Sequence, residues 1–273
     1  MKIGMPIIAE YKTLDQHINL CRELGFDFIE LNMGCPCSMP HKIDWKAMKD
    51  CKDIFFTVHL PESLQVGELY EPARKREIDY IMKLIKLFRT NGDITKFTLH
   101  FDAGIVMTLT DRKVYMFEEY KEDYLNSLRK SFKTLSKFAA KLGVTICFEN
   151  TWTYPFLLEG YQEILKWDNL FFVLDAGHDE RSDKTASKFF MKHPNRIKHI
   201  HMHDFDGSTD HKELGTGKVN VGEYVKFCQA NNLTMLLEVR TKKELERSFK
   251  MLKFVIKTLP SLGNVEQLSF TDV

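Results

Sequence analysis

Lys141-Leu142-Gly143-Val144-Thr145-Ile146-Cys147-Phe148-Glu149-Asn150 is the stretch on which the reading of the fold turns. A helical period running from Tyr120 to Leu142 stops at Gly143, a residue suited to the left-handed turn that closes a helix. Apolar residues then alternate with others in steps of two. Successive side chains of a strand point to opposite faces, so Val144, Ile146 and Phe148 share one side, and Thr145, Cys147 and Glu149 the other. The first face is wholly apolar and suits burial under helices. The second ends in a carboxylate and suits the inside of a barrel.

The same unit recurs along the chain. Strand patterns lie near Lys2–Ile8, Phe26–Met33, Ile54–Leu60, Lys96–Asp102, Val144–Asn150, Leu170–Asp175, Ile197–Asp204 and Thr234–Val239. Helical patterns fall between them, at Leu14–Leu24 (closed by Gly25), Pro72–Phe88 (ending before Asn91-Gly92), Tyr120–Leu142, Leu158–Lys166, Lys184–Lys192, Val221–Asn231 and Lys243–Thr258. Only the helix after the second strand is weak, with Trp45–Lys49 as its best candidate. Strand then helix, eight times over, predicts an α/β chain folded as a single-domain (β/α)8 TIM barrel over residues 1–260, with a C-terminal tail at 261–273. A doubly wound open sheet fits less well, because no glycine-rich phosphate loop follows the first strand. The connections Leu69–Ile78 and Ala103–Glu118 are longer, and they follow strands on the face where barrels build active sites.

With 44% apolar residues among 273, the chain can fill a large core. Lys and Arg number 39 against 38 Asp and Glu, so net charge argues neither for nor against a nucleic-acid partner. No signal-peptide pattern opens the chain, and no apolar run approaches the roughly 20 residues of a membrane span. Six scattered cysteines then read as reduced thiols in a cytoplasmic protein. Cys35-Pro36-Cys37 lacks metal-site spacing and reads as an ordinary loop.

Taking the alternation strand by strand gives an inward set: Phe28, Glu30 and Asn32; Thr57 and His59; Thr98 and His100; Cys147 and Glu149; Val173 and Asp175; His199, His201 and His203; Leu236 and Glu238. Six consecutive strands therefore end in an inward His, Asp or Glu. Burying such groups is costly unless they are paired, hydrogen-bonded or bound to metal. One alone would be a satisfied core residue; six at one end point to a metal site. Carboxylate and imidazole without thiolate suit Mn²⁺, Mg²⁺, Co²⁺ or Zn²⁺. His199 lies one strand repeat deeper than His201, where a buried, hydrogen-bonded role away from the metal is expected.

At these residues the chain resembles the xylose isomerase-like TIM barrel superfamily, which joins sugar and sugar-phosphate isomerases and epimerases with zinc-dependent apurinic endonucleases. The carrying motifs are Phe148-Glu149-Asn150-Thr151, Leu174-Asp175-Ala176-Gly177-His178, His199 to Asp204, Leu236-Leu237-Glu238 and His211 to Gly217. The resemblance implies that Glu149, Asp175, His201 and Glu238 hold a divalent ion. It implies that Glu149 and Glu238 act as catalytic base and acid through an enediolate. Glu30, His59, His100, Trp152, His178, His211 and Arg240 are the expected substrate contacts. His59 and His100 match residues that hold a second ion in the endonucleases, and His211 matches a further zinc ligand. The aspartate that accompanies it in that family should stand at Thr209, but the sequence has it displaced to Asp210.

The expected substrate is a small sugar or sugar phosphate, with no membrane partner and a homo-oligomer left open. The alternative is phosphodiester hydrolysis at abasic DNA, which alone would bring a nucleic-acid partner. Against it, the loop His59-Leu60-Pro61-Glu62-Ser63-Leu64 lacks the aromatic that the endonucleases insert into the duplex, leaving Leu60 and Leu64 as stand-ins. Trp152 and Tyr154 in the next such loop would stack on a sugar face as readily as on a base.

Overall fold

The computed structural model describes residues 1–259; the tail expected at 261–273 lies outside them. Eight parallel strands form a closed barrel: β1 (Lys2–Pro6), β2 (Phe28–Asn32), β3 (Phe55–His59), β4 (Lys96–Phe101), β5 (Thr145–Asn150), β6 (Leu170–Asp175), β7 (Ile197–Met202) and β8 (Thr234–Leu237). Each pairs with the next, and β8 returns to β1 with Lys2 opposite Thr234 and Gly4 opposite Leu236.

Each expected strand is present, several of them trimmed by a residue or two at the ends. Local chemistry sets the boundaries. Thr13 caps Leu14–Leu24 in a reciprocal box with Gln16, and Gly25 closes that helix at φ 81°. Gly143 closes Lys121–Leu142 at φ 61°. The helix expected to stop near Phe88 instead runs Glu71–Gly92, and Asp93 takes the left-handed cap. Trp45–Asp50 is helical, held by the Asp44 carboxylate on two backbone amides. Two features escape sequence periodicity because they are too short to carry a period: a helix at Ala176–Arg181 and an antiparallel ribbon pairing Val106–Thr108 with Lys113–Tyr115. No helix among the described residues is long and apolar enough to cross a membrane.

The strand alternation divides the interior in two. Ile146, Phe148, Phe172, Leu174, Ile200, Met202 and Met235 join a continuous apolar layer between strands and helices. Phe28, Cys147, Val173 and Leu236 are fully buried yet stand apart from that layer, filling the barrel itself. The phenyl ring of Phe28 takes the space over Gly4, where any Cβ would come within 2.3 Å of it.

One irregularity matters for the interior. Pairing between β6 and β7 slips by a residue, with Phe172 opposite Ile197 but Val173 opposite His199. The extra residue is Lys198. Its carbonyl accepts a hydrogen bond from the buried Lys96 ammonium at 3.1 Å.

Candidate active site

The inward carboxylates and imidazoles meet at the C-terminal end of the barrel, apart from Glu30 and His199, which lie beneath His201. Neighbouring strands bring them side by side: His100 lies opposite Glu149 in β4–β5, and Asp175 opposite His201 in β6–β7. Glu238 stands just past the end of β8, its amide bonded to the Met202 carbonyl at 2.9 Å.

Around His201 Nδ1 lie Glu149 Oε1 at 3.1 Å and Glu238 Oε2 at 3.0 Å. Asp175 completes a set of four whose ligand atoms all fall within 4.8 Å of one another. Asp175 also caps the helix that follows it, its Oδ1 accepting from the His178 amide at 2.6 Å. Asn150 fixes this strand end from β5, exchanging two hydrogen bonds with the Asp175 backbone at 2.8 and 3.1 Å.

What remains is telling. Glu149 Oε1, Asp175 Oδ2, His201 Nδ1 and Glu238 Oε2 are buried and have no hydrogen-bond partner. Their short mutual distances are ion contacts without hydrogen-bond alignment, because the atoms aim at a shared point rather than at each other. Buried polar atoms are rarely left so, and four hard or borderline donors around one point fit a divalent cation.

Charge follows geometry. Burial alone would raise Glu149, but His201 and His59 pull it well below the usual carboxylate range. Burial likewise opposes the charge on His201, yet Glu149, Glu238 and Glu30 lift it well above an ordinary histidine. His59 rises to about 9, overcoming its burial through the Nε2 contact with Glu149 Oε2 at 3.0 Å.

Above these groups opens a cavity of about 570 Å³, lined by His100, Trp152, His178, His211, Glu238 and Arg240 among others. It is in the size range of small-molecule sites. Two expected substrate contacts do not reach it. Glu30 is 2% exposed and sits beneath His201, because Thr57 and His201 draw its carboxylate inward. His59, also 2% exposed, is turned onto Glu149, with the ring of His100 edge-on between it and the opening.

Other groups were hidden from sequence periodicity. Arg181 lies one helical turn after His178, a spacing that could have flagged it. Its guanidinium stacks 4.0 Å from the Trp152 ring and donates to Asp210 Oδ2 at 2.6 Å. His203 is held by its Nδ1, which accepts from the His211 amide at 2.8 Å, while Nε2 faces Asp175 at 3.0 Å. Gly177 makes room for that ring: a Cβ there would lie 2.0 Å from His203 Cε1.

The chain belongs to the xylose isomerase-like TIM barrel family, whose model matches residues 18–255. A curated relative, an uncharacterized protein of Methanocaldococcus jannaschii, is 26% identical over 251 residues, covering 89% of this chain and 93% of its own. Solved structures of the same fold include a D-tagatose 3-epimerase-like protein (21% identity, TM-score 0.77, 94% of this chain and 97% of that one). Another is the IolI protein with a bound zinc atom (16% identity, TM-score 0.72, 96% and 100% covered).

Proposed function

We propose that this protein is a divalent-metal-dependent isomerase or epimerase of a small sugar or sugar phosphate. The observation that carries the reading is the convergence of Glu149, Asp175, His201 and Glu238, one partnerless buried atom from each, under a cavity of monosaccharide size. Similarity to the D-tagatose 3-epimerase-like protein and to zinc-bound IolI supports it at the level of fold.

An ion held by these four residues would polarise two adjacent substrate oxygens and acidify the carbon-bound proton between them. Glu149 and Glu238 approach the same point from strands β5 and β8. One takes the proton from carbon and the other returns it through an enediolate, on the opposite face for epimerisation or at the neighbouring carbon for isomerisation. His59 anchors the second oxygen of Glu149, fixing the direction of that carboxylate. Trp152 is 47% exposed at the cavity wall and backed by Arg181, a platform for the apolar face of a sugar ring. His100, His178 and His211 line the same space and offer imidazoles to hydroxyls, and Arg240 at the rim offers a charge to a phosphate. A cytoplasmic setting accords with six free thiols.

Two groupings favour the endonuclease reading: His59, His100 and Glu149, and His178, His203 and His211, each form a further group able to hold an ion. Two observations oppose it. Leu60 and Leu64 are 0% and 7% exposed, built into the core and not placed to enter a duplex. Asp210 Oδ2 is engaged by Arg181 at 2.6 Å and lies 3.9 Å from His178 Nε2, so its nearest partner is the guanidinium and not a histidine of the site.

The test is metal content per chain for wild type and His100→Ala, with deuterium wash-in to a ketose panel and cleavage of an abasic duplex. One ion per chain in both, exchange of a substrate proton and no cleavage are expected. Two or more tightly held ions with robust duplex cleavage would overturn the proposal.

A further inference from the structure

Beneath the four converging residues lies a buried polar chain that sequence reading left partly unassigned. Glu30 Oε1 stands 3.1 Å from His201 Nε2, and Glu30 Oε2 stands 3.4 Å from His199 Nε2 and accepts from Thr57 Oγ1 at 2.7 Å. His199 Nδ1 meets Thr234 Oγ1 at 2.6 Å, and Lys96 Nζ donates to that same hydroxyl at 2.6 Å. Lys96 is the far end, committed to Thr234 and the Lys198 carbonyl.

These contacts constrain where the hydrogens lie. Lys96 carries only donors, so Thr234 Oγ1 accepts from it, and the Thr234 hydroxyl in turn faces His199 Nδ1 at 2.6 Å and the Lys198 carbonyl at 3.4 Å. The shorter of those two contacts takes the Thr234 hydrogen to His199 Nδ1, which places the His199 hydrogen on Nε2, facing Glu30. Glu30 then receives Thr57, His199 and His201. A cation held by Glu149, Asp175 and Glu238 would take the lone pair of His201 Nδ1, which leaves the ring hydrogen on Nε2, 3.1 Å from Glu30 Oε1. Glu30 is the carboxylate placed to accept that hydrogen, so it sets which ring nitrogen is left to face Glu149 and Glu238.

We infer that Glu30 is a positioning residue: it selects the ring tautomer and orientation of His201, and Thr57, His199, Thr234 and Lys96 hold it in place. The inference rests on the reading of His201 as a metal ligand, and not on which sugar is turned over. Carboxylates that hold the far nitrogen of a ligating histidine typically tune metal affinity by about 10–100-fold.

The experiment measures Co²⁺ affinity by chelator competition, and the visible spectrum of the Co²⁺ form, in wild type, Glu30→Gln and Thr57→Val, with thermal melts of each apo protein. Glu30→Gln should bind Co²⁺ about 10–100-fold more weakly with a changed spectrum. Thr57→Val, which leaves the carboxylate but removes one of its donors, should weaken binding severalfold at a near-unchanged melting temperature. If Glu30→Gln is folded and binds Co²⁺ with wild-type affinity and spectrum, the role of Glu30 is disproved. If that variant does not fold, wild-type affinity in folded Thr57→Val disproves it instead. A wild-type chain that binds no divalent ion would instead defeat the metal reading itself.

Discussion

Two layers of the barrel interior differ by a single strand repeat and have opposite chemistry. Cys147, Val173 and Leu236 fill the lower one; Glu149, Asp175 and Glu238, each two residues further along the same strands, form the upper one. The backbone environment is the same and burial is nearly so, with Val173 and Asp175 both fully buried. The upper layer tolerates charge because its members answer one another: His59 and His201 face Glu149, and His178 and His203 face Asp175. At the lower level the charged groups, Glu30 and Lys96, are committed to the chain through His199 and Thr234, and burial there pushes the Cys147 thiol up to about 12. A barrel thus carries a charged site only where several strands supply partners at one level.

Moving a charge down one repeat should break the molecule most severely. Val173→Asp places a carboxylate opposite Glu149 on one side and His199 on the other, with His199 already turned to Glu30 and Thr234, and an unpaired buried charge costs about 3–5 kcal/mol. Urea titration should show a loss of that size or no folded protein at all; a melting curve like wild type would refute the contrast between layers.

Removing a charge from the upper layer should have a different outcome. In Asp175→Asn the shape and the cap on the His178 amide can persist, but one anionic donor is gone. The expected result is loss of tight metal binding and of turnover, with a stability change of no more than about 1–2 kcal/mol because the other charges relieve one another. Isothermal titration with Zn²⁺ beside a thermal melt checks both halves.

The smallest effect sharpens the comparison from outside both layers. His17 is a buried histidine with no carboxylate partner: its Nδ1 donates to the Thr13 carbonyl at 2.8 Å and its Nε2 accepts from the Ile8 amide at 3.1 Å. Desolvation lowers its pKa below the ordinary 6.5, so the folded chain holds it neutral. The unfolded state binds the extra proton first as pH falls. The stabilisation is therefore complete above about 6.5 and is lost as pH drops from there toward the folded value. Wild type should lose more stability than His17→Gln between pH 7.5 and 5.5, measured by urea melts; equal losses would show that His17 does not titrate in that window.

Much of this architecture is written in period-two alternation and in helix stops. Gly143, Val144 to Glu149 and the three alternate histidines of β7 fix strand type and facing, because a strand has only two faces and one must be apolar. For that reason the barrel and the inward set could be read from the sequence, whereas the choice of Glu149, Asp175, His201 and Glu238 as one set came from the family resemblance. Alternation says nothing of depth or of which inward groups meet across the barrel. Glu30 and Asp175 carry the same inward signal, but only closure of β1 on β8 puts Glu30 under His201 and away from the cavity. Leu60 and Leu64 looked free to act as wedges until the core was seen to claim them. The pairing of Arg181 with Asp210 joins a helix after β6 to a loop after β7, and no local pattern encodes it. The sequence by itself determined which side chains face inward, since that follows from the pleat of each strand. Only the tertiary structure decided their depth and their partners, since those depend on register, the slip at Lys198 and closure of the ring.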